Sequence, residues 1–242
     1  MVVTEAVKIK INPNHDWDVL AQSLQEHQRL QVPNFFTDET AQYLFRLLVE
    51  NKDWYLAYND GENFYESSKE QLAALTPQQQ QGFMNNIYAR ARSQFQYVFN
   101  QYFITQAIAN EEQPGHPMHQ MESFMNSQEV LDLMRKLTGV AAITKADTYA
   151  STYLPGHFLT AHDDNHATHD RVAAYVFSMT KGWDRDWGGH LAFYDEQGNI
   201  SQSFMPAFNT LNIFLTPQMH AVQLVAPFAG VKRLSFLGWL HR

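Results

Sequence analysis

Phe158-Leu159-Thr160-Ala161-His162-Asp163-Asp164 reads as one β-strand that ends in a histidine and a carboxylate two positions apart. Side chains at i and i+2 on a strand point to one face. The spacing therefore predicts His162 and Asp164 on a common side, with Asp163 turned away. Working outward, the same two-residue period recurs over 149–153, 172–179, 190–194, 211–215, 221–225 and 233–239, and glycine, proline, Asn or Asp separates most of these runs. Before about residue 142 the period is that of helices. Thr37 is a predicted N-cap, with Asp38 and Glu39 in the first turn and Ala41, Leu44, Phe45 and Leu48 as the apolar stripe. Thr76-Pro77 opens a second helix, predicted to run to about Phe103 with Phe83, Ile87, Ala91, Phe95, Val98 and Tyr102 on its core side. Ser127 opens a third through Leu131, Met134 and Leu137, closed by Gly139. Residues 29–32 read as a short strand stopped by Pro33, 54–66 as strand and loop, and 110–122 as loop. Helices followed by strands predict a mainly β core with supporting α-helices on one face, α+β overall. The expected division is an N-terminal helical and strand extension, 1–140, packed on a core of 141–242 as one compact unit.

Composition narrows the function. The formal net charge of −8 comes without any run of Lys and Arg, so a nucleic-acid partner is not expected. The chain has no cysteine, which excludes disulfides, thiol nucleophiles and Cys-based zinc sites. The first residues lack the charged start and apolar run of a signal peptide. No apolar stretch approaches the ~20 residues of a membrane-spanning helix. The expectation is a cytoplasmic protein with no membrane partner.

Three further residues join the His162–Asp164 pair. His220 lies in Pro217-Gln218-Met219-His220-Ala221-Val222, and Arg233 and Ser235 lie in Lys232-Arg233-Leu234-Ser235-Phe236. Taken singly, His162 reads as a turn residue, His220 as a packed strand start and Arg233 as a surface charge. Taken together, two histidines and one carboxylate make the ligand set of a non-heme Fe(II) centre with open coordination positions. Arg233 sits in an apolar strand, where a buried guanidinium needs an anionic partner. Its planar fork suits a carboxylate.

In the order Tyr153, Gly156, His162, Asp164, His220, Arg233, Ser235, with Trp183-Asp184, Gly188-Gly189 and Gly238-Trp239 between and after, the chain resembles the 2-oxoglutarate- and Fe(II)-dependent oxygenases, prolyl hydroxylase branch. The resemblance covers about residues 149–240, with a weaker echo in Val32-Pro33-Asn34-Phe35-Phe36. It implies a double-stranded β-helix, or jelly roll. It implies Fe(II) on His162, Asp164 and His220, and 2-oxoglutarate as co-substrate, with ascorbate as an optional addition. It implies Arg233 on the distal carboxylate, with Ser235 and Tyr153 as further co-substrate contacts. The implied reaction hydroxylates a prolyl residue in a protein or peptide and converts 2-oxoglutarate to succinate and carbon dioxide; the alternatives are a small-molecule hydroxylase of the same superfamily, acting for example on a free amino acid, and a non-catalytic metal-binding jelly roll. The chain departs from the pattern at Ser178, where relatives often carry a second co-substrate-binding tyrosine; binding there must be reorganised or weaker.

The remaining expectations concern the substrate. His166 and His169 are expected in a solvated loop over the entrance. Trp183 and Trp187, with Asp184 and Asp186, are expected on a substrate-side loop, because flat aromatics grip a partner chain at low entropy cost. His116, His119 and His157 are expected to be structural or surface residues.

Overall fold

The computed structural model describes residues 7–61, 63–165 and 170–242. Its first half alternates helices and strands. Helix α1 (Trp17–His27) is capped by the Asp16 carboxylate, and strand β1 (Arg29–Pro33) follows. Helix α2 (Asp38–Glu50) starts at Thr37, whose side chain accepts from the Thr40 amide. Strands β2 (Tyr55–Asp60) and β3 (Asn63–Ser67) form a hairpin. Helices α3 (Lys69–Ala73) and α4 (Pro77–Ala91) each begin with a reciprocal cap, Ser68 with Gln71 and Thr76 with Gln79. Strand β4 (Tyr97–Phe103) leads into α5 (Ile104–Ala109), α6 (His119–Met125) and α7 (Gln128–Thr138), the last closed by Gly139 at φ 72°.

The second half is strands: β5 (Lys145–Ala146), β6 (Tyr149–Tyr153), β7 (Phe158–His162), β8 (Arg171–Ser178), β9 (Leu191–Tyr194), β10 (Ile200–Phe204), β11 (Thr210–Leu215), β12 (His220–Val222) and β13 (Arg233–His241). They pair in the order β1-β11-β8-β13-β6-β4-β7-β12-β9-β10, with β2 on β4 and β5 on β13. The sheet curls until β7, β12 and β9 face β6, β8 and β13 across one cavity, the arrangement of a jelly roll. Four strands of the first 140 residues, β1 to β4, belong to this same sheet.

The two faces of the curled sheet do different work. Outward, Phe177, Leu234 and Phe236 pack with Leu24, Leu44 and Met134 of the helices in the main core. Phe35 and Phe36, fully buried, set their rings 5.0 and 4.9 Å from that of Phe177 and fasten the N-terminal segment to β8. Each such burial stabilises by roughly 1.5–3 kcal/mol. Inward, alternate residues of β6, β8 and β13 line the cavity.

One long expectation fails. The helix from Thr76 ends at Ala91 instead of near Phe103, and 97–103 is a strand paired with β2, β6 and β7. Val98 and Tyr102 are four apart, an even number, so they share a face on a strand as well as on a helix. The aromatic and β-branched run Tyr97-Val98-Phe99 then favours the strand. Strand β10 was not expected either; most of Ile200-Ser201-Gln202-Ser203-Phe204 is exposed, so its alternation carries little apolar signal.

Candidate active site

Strands β7 and β12 are antiparallel neighbours with His162 directly opposite His220. Their imidazole centroids are 4.2 Å apart. Asp164 reaches them by a route the strand period did not predict. Strand β7 stops at His162, and Asp164 takes a left-handed backbone with φ 61°, a conformation Asp tolerates better than most residues. That turn brings Oδ1 to 3.5 Å from His162 Nε2 and Oδ2 to 3.4 Å from His220 Nε2. Asp163 points elsewhere and accepts the Asn165 amide at 2.9 Å.

The orientation of both imidazoles is fixed from behind. His162 Nδ1 lies 3.0 Å from the Thr160 carbonyl, and His220 Nδ1 lies 2.8 Å from the Gln218 carbonyl. With Nδ1–H donated to a carbonyl, each ring turns the Nε2 lone pair toward the cluster. Ligand atoms of the three residues lie within 4.8 Å of one another, and no other group of three meets that test among the described residues. Two ligands at a right angle, each about 2.1 Å from one ion, sit about 3 Å apart, and the two carboxylate–imidazole distances lie close to that. Burial pushes the Asp164 carboxyl up, but the neighbouring His162 and His220 outweigh it and hold the group below the usual carboxylate range. Burial pushes His220 down to about 4, with the neighbouring His162 acting in the same direction.

The strand carrying His162 is itself anchored. Thr160 donates its amide to Gln96 O at 3.0 Å, and its hydroxyl accepts from the Gln96 amide at 2.9 Å. The buried Gln96 side chain donates to Asn59 O at 2.8 Å. Arg171, which the sequence reading missed, lies with Nη1 3.6 Å from Asp164 Oδ1 and its guanidinium 3.8 Å over the Trp239 ring. Its only signal in the sequence is a charge opening an otherwise apolar strand.

Arg233 occupies the other end of the same cavity. On β13, Leu234, Phe236 and Leu240 join the outer core, so Arg233, Ser235, Leu237 and Trp239 turn inward. Arg233 is 4% exposed. Among the described residues it has no ion-pair partner, its Nε is buried without a hydrogen bond, and burial lowers its pKa. Its closest aromatic company is Tyr153, directly opposite on β6, at 5.0 Å from the guanidinium carbon to the ring centroid. Tyr153 is buried, which raises its phenol's pKa, and stacks on Phe99 at 4.9 Å. Ser235 is fully buried with an unbonded hydroxyl. Ser178 is buried too, but its oxygen accepts the Ala207 amide at 3.0 Å.

The proposed substrate loop needs correction. Trp183 is no surface platform: it is nine-tenths buried against Tyr153, Val222 and Val225, and its indole donates to Gly188 O at 3.0 Å. Trp187 crosses it edge-on at 5.6 Å. Asp184 accepts the Asp186 amide at 2.9 Å in a 3-10 turn, Arg185–Trp187. A tryptophan between glycine and charged residues looks exposed in sequence, but tertiary packing closes over it. The aromatic that is exposed beside the cluster is Phe95, whose ring lies 5.5 Å from that of His162. His166 and His169 lie outside the described residues. His157 is buried, and desolvation lowers it to about 4. His119 Nε2 lies 2.8 Å from the Tyr102 hydroxyl.

The sequence profile of the 2OG-Fe(II) oxygenase superfamily matches residues 148–241. Over 115 residues the chain is 30% identical to mouse prolyl 3-hydroxylase OGFOD1, covering 45% of this chain and 21% of that protein. The chain thus spans about a fifth of the length of that curated relative. Two solved structures share the fold. A Pseudomonas putida prolyl-4-hydroxylase, 19% identical, aligns with a TM-score of 0.59 over 93% of this chain and 98% of its own. A Trichoplax adhaerens prolyl hydroxylase in complex with a hypoxia inducible factor peptide, 14% identical, aligns with a TM-score of 0.59 over 93% and 88%. Residues 148–241 thus resemble the 2OG-Fe(II) oxygenase superfamily, whose name carries Fe(II) and 2-oxoglutarate, and the relatives similar to this chain include prolyl hydroxylases.

Proposed function

We propose that this chain hydroxylates a prolyl residue in a protein or peptide, coupled to conversion of 2-oxoglutarate to succinate. The observation that carries the reading is one buried cation without an anion among the described residues, Arg233, in the same cavity as the His162–Asp164–His220 cluster. A buried guanidinium left unpaired is costly, and a dicarboxylate co-substrate offers the missing partner. In this reading His162, Asp164 and His220 hold Fe(II), which with 2-oxoglutarate and dioxygen supplies the oxidising chemistry. The protein's own residues do the rest. Arg233 and Ser235 fix the distal carboxylate, and Tyr153 and Phe99 wall the co-substrate. Leu159, Phe214 and Val222 keep the cavity apolar, which excludes water and strengthens the ionic contacts inside.

A peptide substrate is supported by two features. The surface beside His162 is aromatic: Phe95 is 47% exposed, and Phe64 and Tyr97 continue from it along β3 and β4. The Trichoplax relative has a peptide bound. The test is incubation of the protein with Fe(II), 2-oxoglutarate and either a proteome digest or free proline, following succinate and a gain of one oxygen by mass spectrometry. Oxygen gain on prolyl residues of peptides is expected, with succinate formed in step. Turnover of free proline as efficient as that of any peptide would reject the macromolecular substrate.

A further inference from the structure

Three serines stand in one row across the inner face of the sheet. Ser235 on β13 is directly opposite Ser151 on β6 and, on its other side, opposite Ser178 on β8. Directly opposed residues of antiparallel strands share a face, with Cβ atoms about 5 Å apart. All three are almost fully buried. Their hydroxyls differ. Ser178 is engaged by the Ala207 amide, whereas the Ser151 and Ser235 oxygens have no hydrogen-bond partner among the described residues, not even each other. Buried hydroxyls without partners are uncommon, and each asks for an explanation.

Their position supplies one. The next inward-facing row toward the start of β13 is Arg233 opposite Tyr153, about 7 Å further along the strand. Arg233, Tyr153 and Ser151 line the same cavity as the metal-ligand cluster. Two hydroxyl donors therefore flank a buried guanidinium whose Nε is also unbonded. One carboxylate has lone pairs enough to accept from all of them.

Resting on the reading of Arg233 as the co-substrate anchor, we propose that Ser151 is a further co-substrate-binding residue, which with Ser235 completes the seat of the distal carboxylate. Ser178 takes no part. The seat is reorganised around the missing tyrosine by a small donor on β6, the strand on the opposite side of β13.

The experiment is calorimetric titration of anaerobic, Mn(II)-loaded protein, so that binding is read without turnover. Two ligands are compared: 2-oxoglutarate, and 2-oxopentanoate, which has the same chelating end and no distal carboxylate. Ser151→Ala is expected to weaken 2-oxoglutarate about tenfold, as a hydrogen bond to a charged group implies. It should leave 2-oxopentanoate and the Mn(II) affinity unchanged. Ser178→Ala should bind 2-oxoglutarate within about twofold of wild type. Should Ser151→Ala fail to fold, Ser151→Cys, nearly the same shape but a poorer donor, should give the same ordering more weakly. Wild-type affinity for 2-oxoglutarate in these Ser151 variants overturns the proposal while the Arg233 anchor stands. Equal weakening of both ligands also overturns it, since that marks a distorted site. A wild-type protein that takes no 2-oxoglutarate rejects the proposed function, and the serine seat with it.

Discussion

His162, Asp164 and His220 gather their acceptor atoms into one ligand set with both rings held from behind, whereas Arg233, at the other end of the same cavity, has no anion among the described residues and sits beside two unbonded hydroxyls. At the histidine end each ring is oriented by a carbonyl two residues upstream, and the carboxylate lies between the rings. That end is preorganised by its own hydrogen bonds. At the arginine end the polarity is buried and unanswered, which the apolar strand around it makes costly. The contrast separates two kinds of binding. In the proposed function one end would hold a metal by a finished ligand set, and the other would be completed by a charged co-substrate.

The largest expected effect breaks the finished end. Asp164→Ala should abolish Mn(II) and Fe(II) binding, beyond the ~10–100-fold typical of losing a residue that merely supports a ligand. Asp163→Ala should bind metal within a few-fold of wild type (roughly threefold at most), because its carboxylate serves only a local turn. Metal titration of both variants decides the assignment. Retention of metal by Asp164→Ala with loss in Asp163→Ala would reverse it.

At the unanswered end, Arg233→Ala should retain metal but lose roughly 3–5 kcal/mol of 2-oxoglutarate binding. Arg233→Lys keeps the charge without the planar fork and should fall between. The comparison also predicts a stability effect of opposite sign. Arg233→Met replaces an unpaired buried charge with an apolar chain of similar length and should stabilise the ligand-free protein by about 1–4 kcal/mol. Thermal melting with and without 2-oxoglutarate checks this: the variant should melt higher alone and gain nothing from the ligand. A lower melting point for ligand-free Arg233→Met would show that the guanidinium is satisfied inside the fold.

A third buried group, His157, sharpens the contrast through pH. Desolvation lowers its folded pKa to about 4, against about 6.5 in an unfolded chain. Above that higher value both states are neutral and the group contributes no slope. As pH falls from about 6.5 toward 4 the unfolded chain binds the extra proton, so folding loses up to about 3 kcal/mol. Denaturant midpoints measured between pH 7 and 4 should fall less steeply in His157→Leu than in wild type. Parallel pH profiles would place the acid sensitivity elsewhere.

How far the sequence reached follows the same division. The cluster was legible because His162 and Asp164, two apart, stand in one order with a distal His220 and with Arg233. Its geometry was misread, since a left-handed turn at Asp164, not a continuing strand, supplies the common face. Burial of Arg233 was legible from Leu234, Phe236 and Leu237 around it. The serine row was not, because cross-strand register joins residues 151, 178 and 235, and no local pattern encodes which strands become neighbours. Trp183 failed for a related reason: only the tertiary cluster with Tyr153, Val222 and Val225 buries it. The helix predicted to Phe103 failed because a four-residue spacing fits both periods, and pairing with β2, β6 and β7 decided between them.

The smallest effect tests how far preorganisation at the histidine end extends. Thr160 presents the carbonyl that orients His162, and Gln96 holds Thr160 through two backbone-level bonds while its amide group holds Asn59 in the β2–β3 hairpin. Asn59 in turn donates to Phe95 O at 2.9 Å, the residue whose ring rests on His162. Gln96→Met keeps the volume and the main-chain bonds and removes the side-chain links to Asn59 and, more weakly, to Tyr97 O. One step beyond the directly supporting partner, the loss should be below the ~10–100-fold of that class, roughly three- to fivefold in Mn(II) affinity. Gln101→Met is the matched control on the same strand, because its side chain serves Glu66 on the hairpin and nothing at the cluster. Both variants should lose similar thermal stability, so only a metal-affinity difference between them marks Gln96 as a positioning residue. Equal Mn(II) affinities would confine the preorganised end to the carbonyls of Thr160 and Gln218, and leave the hairpin a matter of substrate contact alone.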